Sequence, residues 1–147
     1  RHHPVWVNTH FNHPRELTPE AAQACDRLTR AGIPVGNQSV LLRGINDDVA
    51  TMQALCEGLV RLRVRPYYCY QAQLLEGTAH FRVPIEEGVR LFRALRGRTS
   101  GFAIPLYVLD TPHGKVPLTY PYLRGREGDA VWVETWDGTL WREPNPR

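Results

Sequence analysis

The chain is poor in lysine. Of its 18 lysine and arginine residues, only Lys115 is lysine. An arginine guanidinium stays protonated and forms no imine with an aldehyde, whereas a lysine amine does so when burial or a nearby cation lowers its pKa. Composition alone leaves two interpretations of Lys115: an amine kept for chemistry, or a chance survivor of arginine-biased residue usage.

Cysteine motifs and long apolar runs are also missing. The three cysteines, Cys25, Cys56 and Cys69, form no Cys-x-x-Cys pair, which excludes a zinc knuckle and a dithiol redox pair. An odd number of cysteines without a secretory signal indicates a reducing compartment, and we predict a cytoplasmic protein. No apolar run approaches the roughly 20 residues that span a bilayer, so no membrane partner is expected.

Positive charge is modest and dispersed. The formal net charge is +3 and the pI is near 9.0. The densest basic group, Arg61, Arg63 and Arg65, alternates with apolar residues into a predicted strand, and no basic run is interleaved with aromatics. We therefore expect no nucleic-acid partner and rank a basic RNA-binding module last among the hypotheses.

The first two thirds of the chain alternate predicted strands and helices. Strands are predicted over 5–10, 35–42 and 64–71, and helices begin after Thr18, after Asp47 or Asp48, and at Pro84. Three βα units predict a parallel sheet with helices packed outside it. The 147 residues suffice for one core, but three units are too few to close a barrel. Because the chain also starts at Arg1 without a methionine, we expect a piece of a longer protein.

The fold class predicted is α/β: the C-terminal half of a partial (β/α) barrel of the TIM type, followed by a small antiparallel β tail. In the tail, a strand is predicted over 104–109, and a hairpin joins 130–135 to 139–142 across Asp137-Gly138. We divide the chain into residues 1–102, the barrel half, and residues 103–147, the lysine loop and hairpin.

Polar residues lie near the carboxyl ends of the predicted strands, where βα barrels carry their active sites. His10 and His13 lack a clear third ligand, and Pro14 argues against a helix that holds both, so no metal site is predicted. Asn37 and Gln38 are open to two interpretations, ligand recognition or structural capping.

Tyrosines and the lysine loop supply the other candidates. Strand alternation predicts that Tyr68 and Tyr70 face one way and that Tyr67 and Cys69 face the other. A tyrosine ring there either packs in the core or stacks on a ligand. Residues 110–118 are predicted as a loop, in which Asp110 and Lys115 flank a turn; a solvated surface salt pair is the simpler interpretation.

Several longer motifs, in this order, resemble lysine 2,3-aminomutase and its relatives from about Val5 to the end of the chain. They are Thr-His-Phe-Asn-His-Pro at 9–14, Gly-Asn-Gln-Ser-Val-Leu-Leu-Arg-Gly-Ile-Asn-Asp at 36–47, Arg-Val-Arg-Pro-Tyr-Tyr at 63–68, His-Phe-Arg at 80–82, Leu-Arg-Gly at 95–97, Thr-Ser-Gly at 99–101 and the Asp-x-Pro…Gly-Lys-x-Pro segment at 110–117.

The resemblance implies an isomerase, a radical S-adenosylmethionine enzyme on a partial βα barrel with pyridoxal phosphate and a [4Fe-4S] cluster. The family's pyridoxal-binding lysine falls on Lys115, and its contacts to S-adenosylmethionine fall on His10 and Gln38. Tyr70 matches a tyrosine beside the pyridoxal, and Asp110 matches an acid that holds the distal ammonium of the substrate. The reaction implied moves an amino group from the α to the β carbon of an amino acid held as its imine, after a deoxyadenosyl radical removes a β hydrogen.

Three departures limit what the resemblance implies. Lysine-specific members carry a second acid where this chain has Gln73, which keeps substrates other than lysine open. One cysteine position of the zinc site found in some members is Asp48 here, so no metal is expected. The Cys-x3-Cys-x2-Cys cluster motif is absent, so its ligands are expected in a missing N-terminal part and this fragment alone is expected to be inactive.

We expect the intact protein to be a homo-oligomer that acts on a small-molecule amino acid. The alternative function is a non-catalytic, degenerate barrel fragment that binds a ligand or partner.

Overall fold

A computed structural model describes residues 4–145; the outermost residues of the two predicted segments, 1–3 and 146–147, lie outside this range. Short 3-10 turns occupy Pro14–Glu16, Ala79–Phe81 and Gly101–Ala103. The longer elements are β1 Val7–Thr9, α1 Pro19–Arg30, β2 Val35–Leu41, α2 Val49–Arg61, β3 Val64–Gln71, α3 Ile85–Leu95, β4 Leu106–Thr111, β5 Gly114–Pro117, β6 Leu123–Glu127, β7 Ala130–Glu134 and β8 Leu140–Pro144.

Five strands form the main sheet, in the order β1-β2-β3-β4-β5. The first four are parallel and β5 runs antiparallel to β4, so the predicted α/β class and parallel sheet are confirmed. β6, β7 and β8 form a separate antiparallel sheet, in which β7 and β8 are the predicted hairpin. The predicted strand over 104–109 begins later, because the backbone amide of Ile104 closes the preceding turn onto the Gly101 carbonyl at 3.3 Å.

Side-chain caps start the first two helices. The Thr18 hydroxyl accepts a hydrogen bond from the Ala21 amide at 3.3 Å, one turn into α1. Asp48, and not Asp47, caps α2, because its carboxylate accepts from the Thr51 amide at 2.9 Å. Hydrogen bonds from Thr51 hold the pKa of Asp48 below its usual value.

The core lies between the helices and one face of the main sheet. Alternate residues of β2 are buried, and the residues between them are only partly covered. The core is filled from β2, β3, β4 and the helices, by Leu41, Met52, Leu55, Cys56, Leu59, Val64, Cys69, Phe92, Leu95 and Tyr107 among others. The opposite face, called the open face below, carries exposed aromatic and apolar side chains such as Tyr67 and Leu106.

The small sheet is attached to the end of α3. Glu134 of β7 forms ion pairs with Arg93 of α3 and with Arg124 of β6, and Arg124 lowers the pKa of Glu134. Arg93 also lies over the Tyr120 ring, 4.1 Å from its centroid. Gly97 has a positive φ of 76°, and the Trp136 ring packs where a Cβ would stand.

The pKa values of two buried cysteines predict how the free energy of unfolding changes at alkaline pH. Burial raises the pKa of Cys56 and of Cys69 from 9.0 to about 12. Between pH 9 and 12 the unfolded chain releases these protons and the folded chain keeps them, so the free energy of unfolding falls as the pH rises. In urea unfolding across this range, we expect Cys56→Ala/Cys69→Ala to flatten the slope of stability against pH. If stability fell as steeply with pH in this double variant as in the unmodified protein, the two cysteines would not be the cause.

Candidate functional site

Lys115 lies on a strand, so the prediction of a loop over 110–118 was wrong. β4 and β5 form a hairpin across Pro112-His113, and Asp110 stands directly opposite Lys115 in its register. The Thr111 hydroxyl fixes the turn, because it donates to the Gly114 carbonyl at 2.8 Å and accepts from the His113 amide at 3.2 Å. The sequence signal for this hairpin, a short turn between two runs of β-forming residues, was overlooked.

The hairpin holds the lysine amine beside a carboxylate and an aromatic ring. Lys115 Nζ lies 3.7 Å from Asp110 Oδ1 and 5.9 Å from the centroid of the Tyr70 ring. The Lys115 side chain is 44% exposed and that of Asp110 is 38% exposed, so the amine is open to a ligand. The register of β3, β4 and β5 places all three side chains on the open face.

A cavity of about 400 Å³ opens next to this amine. Its lining comes from the carboxyl ends of β2, β3 and β4 and from residues 72–83, the segment between β3 and α3. The lining residues are Val40, Leu42, Tyr70, Gln71, Ala72, Gln73, Leu75, Thr78, Phe81 and Asp110. Three of the predicted site residues, Tyr70, Gln73 and Asp110, therefore share one mostly apolar cavity, and Lys115 contacts two of them.

The tyrosines do not alternate as predicted. The register between β2 and β3 slips after Asn37, so Tyr67 is an extra, bulged residue of β3. Its ring centroid lies 3.9 Å from that of Tyr68, and the Tyr68 and Tyr70 centroids are 5.7 Å apart. Tyr67, Tyr68 and Tyr70 therefore all face the open side, and only Cys69 of this run points into the core.

His10 and Gln38 lie away from this cavity. His10 is exposed just after β1, and the residues that line the cavity do not include it. Gln38 is half-buried on the open face, where it is the register partner of Tyr68. Gln38 is also two residues before Val40, which lines the cavity. Of the two predicted S-adenosylmethionine contacts, His10 therefore follows β1 and Gln38 lies within the neighbouring strand β2.

Asn37 has a structural role, which decides between the two interpretations of this residue. Its side chain is 1% exposed and points to the core side of β2. The amide oxygen accepts from the Phe11 amide at 2.7 Å and from the Thr9 hydroxyl at 2.9 Å, while the amide nitrogen donates to the Phe11 carbonyl at 3.0 Å. These bonds attach the residues after β1 to β2.

Asn46 is a positioning residue that the sequence analysis missed. It is 0% exposed, and its amide nitrogen donates to the carbonyls of Asn12 and Val40 at 2.8 and 2.9 Å. Its amide oxygen accepts from the Leu42 backbone amide at 2.8 Å. An asparagine between a strand and a capped helix carries no distinctive sequence signal, because its bonds connect segments 34 residues apart.

Residues 4–145 hold neither a three-ligand metal group nor a helix suited to crossing a membrane. In that range no three histidine, cysteine, aspartate or glutamate side chains form a group that could hold a metal ion. His13 accepts a hydrogen bond from the Arg15 amide at 3.1 Å and so caps a 3-10 turn. None of the described helices combines the length and the apolar character that crossing a membrane requires.

Fold and site define an α/β segment with a candidate ligand cavity at the carboxyl ends of parallel strands, beside two residues that an accessible lysine amine contacts. The family model described as Lysine-2,3-aminomutase matches residues 92–147. L-lysine 2,3-aminomutase of Fusobacterium nucleatum is 49% identical over 148 residues, which cover 98% of this chain and 35% of that protein. The chain belongs to the lysine 2,3-aminomutase family and corresponds to the C-terminal part of its members.

Two further relatives differ from each other in their named substrates. L-lysine 2,3-aminomutase of Clostridium subterminale is 48% identical over 98% of this chain and 36% of its own length. Glutamate 2,3-aminomutase of Clostridioides difficile is 46% identical over 95% of this chain and 34% of its own length. The chain thus spans about a third of the length of these curated relatives.

Proposed function

We propose that this chain is the C-terminal part of a radical S-adenosylmethionine aminomutase, an isomerase that moves an amino group from the α to the β carbon of an amino acid. One observation carries the proposal. The only lysine of the sequence lies on the open face, with its amine 3.7 Å from Asp110 and 5.9 Å from the Tyr70 ring, next to a cavity of about 400 Å³.

The residues around Lys115 fit pyridoxal phosphate. The accessible Lys115 amine would be its attachment point, and the Tyr70 ring offers an aromatic wall beside it. When bound, the cofactor supplies a conjugated ring that lets the nitrogen migrate between adjacent carbons. Asp110 holds the Lys115 amine toward the cavity, and the apolar walls around Val40, Leu75 and Phe81 reduce the access of water.

The iron–sulfur cluster that the resemblance implies has no suitable ligands in the described part of the chain. Cys25, Cys56 and Cys69 are all buried as free thiols, and burial raises the pKa of each. A cluster ligand has to be a thiolate, so these cysteines are poor candidates. We propose that the cluster ligands belong to an N-terminal part of the protein, and that S-adenosylmethionine meets His10, just after β1, and Gln38, in the middle of β2.

The proposal includes a fold for the whole protein. β1 to β4 would be consecutive strands of a partial βα barrel, the open face would line its interior, and the missing strands would come from the N-terminal part. Residues 1–102 would form the barrel half and residues 103–147 the lysine-bearing segment with its small sheet. A cytoplasmic homo-oligomer without a nucleic-acid partner completes the proposal.

We propose that substrate choice depends on two polar residues of the cavity lining, Asp110 and Gln73. Asp110 supplies one carboxylate and Gln73 supplies a neutral amide, so the described part of the cavity carries one negative charge. Chromatographic product analysis of the full-length enzyme with lysine, glutamate, arginine and ornithine tests the proposal. A β-amino acid from any of them supports an aminomutase; no such product from an enzyme loaded with both cofactors would contradict it.

Gln73→Asp should shift substrate preference toward lysine. A second carboxylate in the cavity attracts the distal ammonium of lysine and repels the side-chain carboxylate of glutamate. We expect kcat/KM for lysine relative to glutamate to rise by about tenfold or more, the effect of one charge-assisted hydrogen bond. The matched control is Gln23→Asp, exposed on α1 and outside this cavity. An unchanged ratio in Gln73→Asp would remove Gln73 from the substrate site.

A further inference from the structure

Gln71 is buried directly behind the proposed site. It follows Tyr70 at the end of β3, its side chain is 1% exposed, and it points away from the open face. Its amide nitrogen donates to the Val83 carbonyl at 2.8 Å, and its amide oxygen accepts from the Tyr107 hydroxyl. One side chain therefore joins β3, β4 and the residue that precedes Pro84 and α3.

Contacts with three other residues hold Tyr107 in this position. It is 2% exposed, and its ring stacks on Phe92 of α3 with centroids 4.9 Å apart. Its hydroxyl group lies against Gly88, where an added Cβ would come within 2.4 Å of the hydroxyl oxygen. The backbone carbonyl of Tyr107 also accepts from the Leu118 amide at 2.9 Å, three residues after Lys115.

The hydrogen bond from Gln71 to Val83 joins the two ends of residues 72–83, the segment that forms one wall of the cavity. Residues 72–83 leave β3 at Gln71 and return beside it at Val83, and between these points they supply Gln73, Leu75, Thr78 and Phe81 to the cavity. Two other hydrogen bonds attach this wall to Arg43, two residues after the end of β2. The backbone amide of Arg43 donates to the Phe81 carbonyl at 2.8 Å, and its guanidinium donates to the Arg82 carbonyl at 3.2 Å. The apolar side chains of Leu74 and Leu75 are 69% and 58% exposed, so packing adds little restraint there.

We infer that Gln71 and Tyr107 are a positioning pair, which holds the cavity wall 72–83 at its base and so keeps Gln73 in the lining of the cavity that Asp110 also lines. Gln71 contributes to the cavity lining, but the side chains of both residues are buried on the core side of the sheet. Gln71 and Tyr107 act through the residues that they hold: Tyr70 and the wall on one side, and β4 with Asp110 on the other. The consequence for substrate binding rests on the proposed function, whereas the restraint on the wall does not.

Hydrogen exchange in the full-length protein tests the restraint without relying on activity. Gln71→Met keeps the size of the side chain but loses both hydrogen bonds, and it leaves the Val83 carbonyl and the Tyr107 hydroxyl without these partners. We expect amides of residues 72–83 to exchange about tenfold faster than in the parent, the usual consequence of losing a buried hydrogen bond. The control is Leu55→Ala, in the same core on α2 but outside the cavity lining.

A double variant separates positioning from general destabilisation. In Gln71→Met/Tyr107→Phe both partners of the hydroxyl bond become apolar, which should recover part of the stability lost in Gln71→Met. The Val83 carbonyl is still unpaired, so exchange of residues 72–83 should stay fast in spite of that recovery. Tyr107→Phe alone keeps the Gln71–Val83 bond and should accelerate exchange of the wall less than Gln71→Met does.

The outcomes distinguish this inference from the proposed function. If the wall exchanges no faster in Gln71→Met than in Leu55→Ala, after correction for global stability, the positioning pair is wrong. If the wall opens, we expect KM for the amino-acid substrate to rise about tenfold while kcat changes less, the signature of lost binding contacts. An opened wall in a protein without aminomutase activity would support the positioning pair and contradict the proposed function.

Discussion

Lys115→Arg should abolish the proposed aminomutase activity of the full-length enzyme. Arginine keeps the positive charge opposite Asp110, but its guanidinium cannot provide the nucleophilic amine to which pyridoxal phosphate attaches. We expect kcat/KM to fall by at least about 10³-fold, as is usual when the residue that bonds covalently to a cofactor or substrate is removed. Product formation measured by chromatography under cofactor saturation checks this.

The matched control is Val116→Thr. Val116 is the next residue of β5 and is the register partner of Leu109, so its side chain lies on the other face from Lys115. Its substitution tests whether any change to this strand disturbs catalysis. Activity near that of the parent in Val116→Thr, with none in Lys115→Arg, assigns the effect to the amine. An active Lys115→Arg enzyme would contradict the account.

Asn46→Asp should have the largest effect on stability. The substitution keeps the shape of the side chain and the acceptor for the Leu42 amide, but it replaces the donor to the Asn12 and Val40 carbonyls. A buried carboxylate would then face two carbonyl oxygens, so it either stays charged at high cost or takes up a proton. We expect the free energy of unfolding to fall by about 3 kcal/mol at neutral pH.

Urea unfolding of Asn46→Asp beside Gln23→Glu measures this effect. Gln23 is exposed on α1, so its variant makes the same change from amide to acid where water solvates the charge. The Gln23 variant should stay close to the parent, and the Asn46 variant should recover part of its stability at acidic pH, where the carboxylate is protonated. Equal stabilities of the two variants at neutral pH would mean that Asn46 does not hold the ends of β1 and β2 together.

The regular parts of the fold follow from local sequence signals. β3 has the predicted bounds, 64–71, because β-branched and aromatic residues are flanked by a helix end and a polar segment. The caps Thr18 and Asp48 set the starts of α1 and α2, since each supplies an acceptor for an otherwise unpaired amide. These local signals were therefore sufficient for the parallel strands and the helices that cover them.

The features that periodicity could not predict depend on contacts between distant segments. β5 is only four residues long and needs β4 as its partner, so residues 110–118 were taken for a loop. The bulge at Tyr67 arises from the register with β2, and it reverses the side to which that residue points. The buried amides of Asn46 and Gln71 serve segments 34 and 12 residues away.

Site residues were predicted from the resemblance to the family more than from local pattern. The structure brings Asp110, Tyr70 and Gln73 together around one cavity, and the Lys115 amine lies beside Asp110 and the Tyr70 ring. His10 follows β1 and Gln38 lies on the neighbouring strand β2, and their contacts to S-adenosylmethionine stay a prediction. Composition alone could not separate function from chance for the single lysine. The resemblance singled it out, and the hairpin places its amine on the open face.

Borohydride reduction of the full-length protein loaded with pyridoxal phosphate, followed by peptide mapping, tests the central claim most directly. The reagent fixes the cofactor to the amine that holds it, and mass spectrometry locates the modified residue. The account predicts a pyridoxyl group on Lys115, and none on that peptide in Lys115→Arg. Cofactor-loaded protein in which Lys115 stays unmodified, or in which another lysine carries the label, would contradict it.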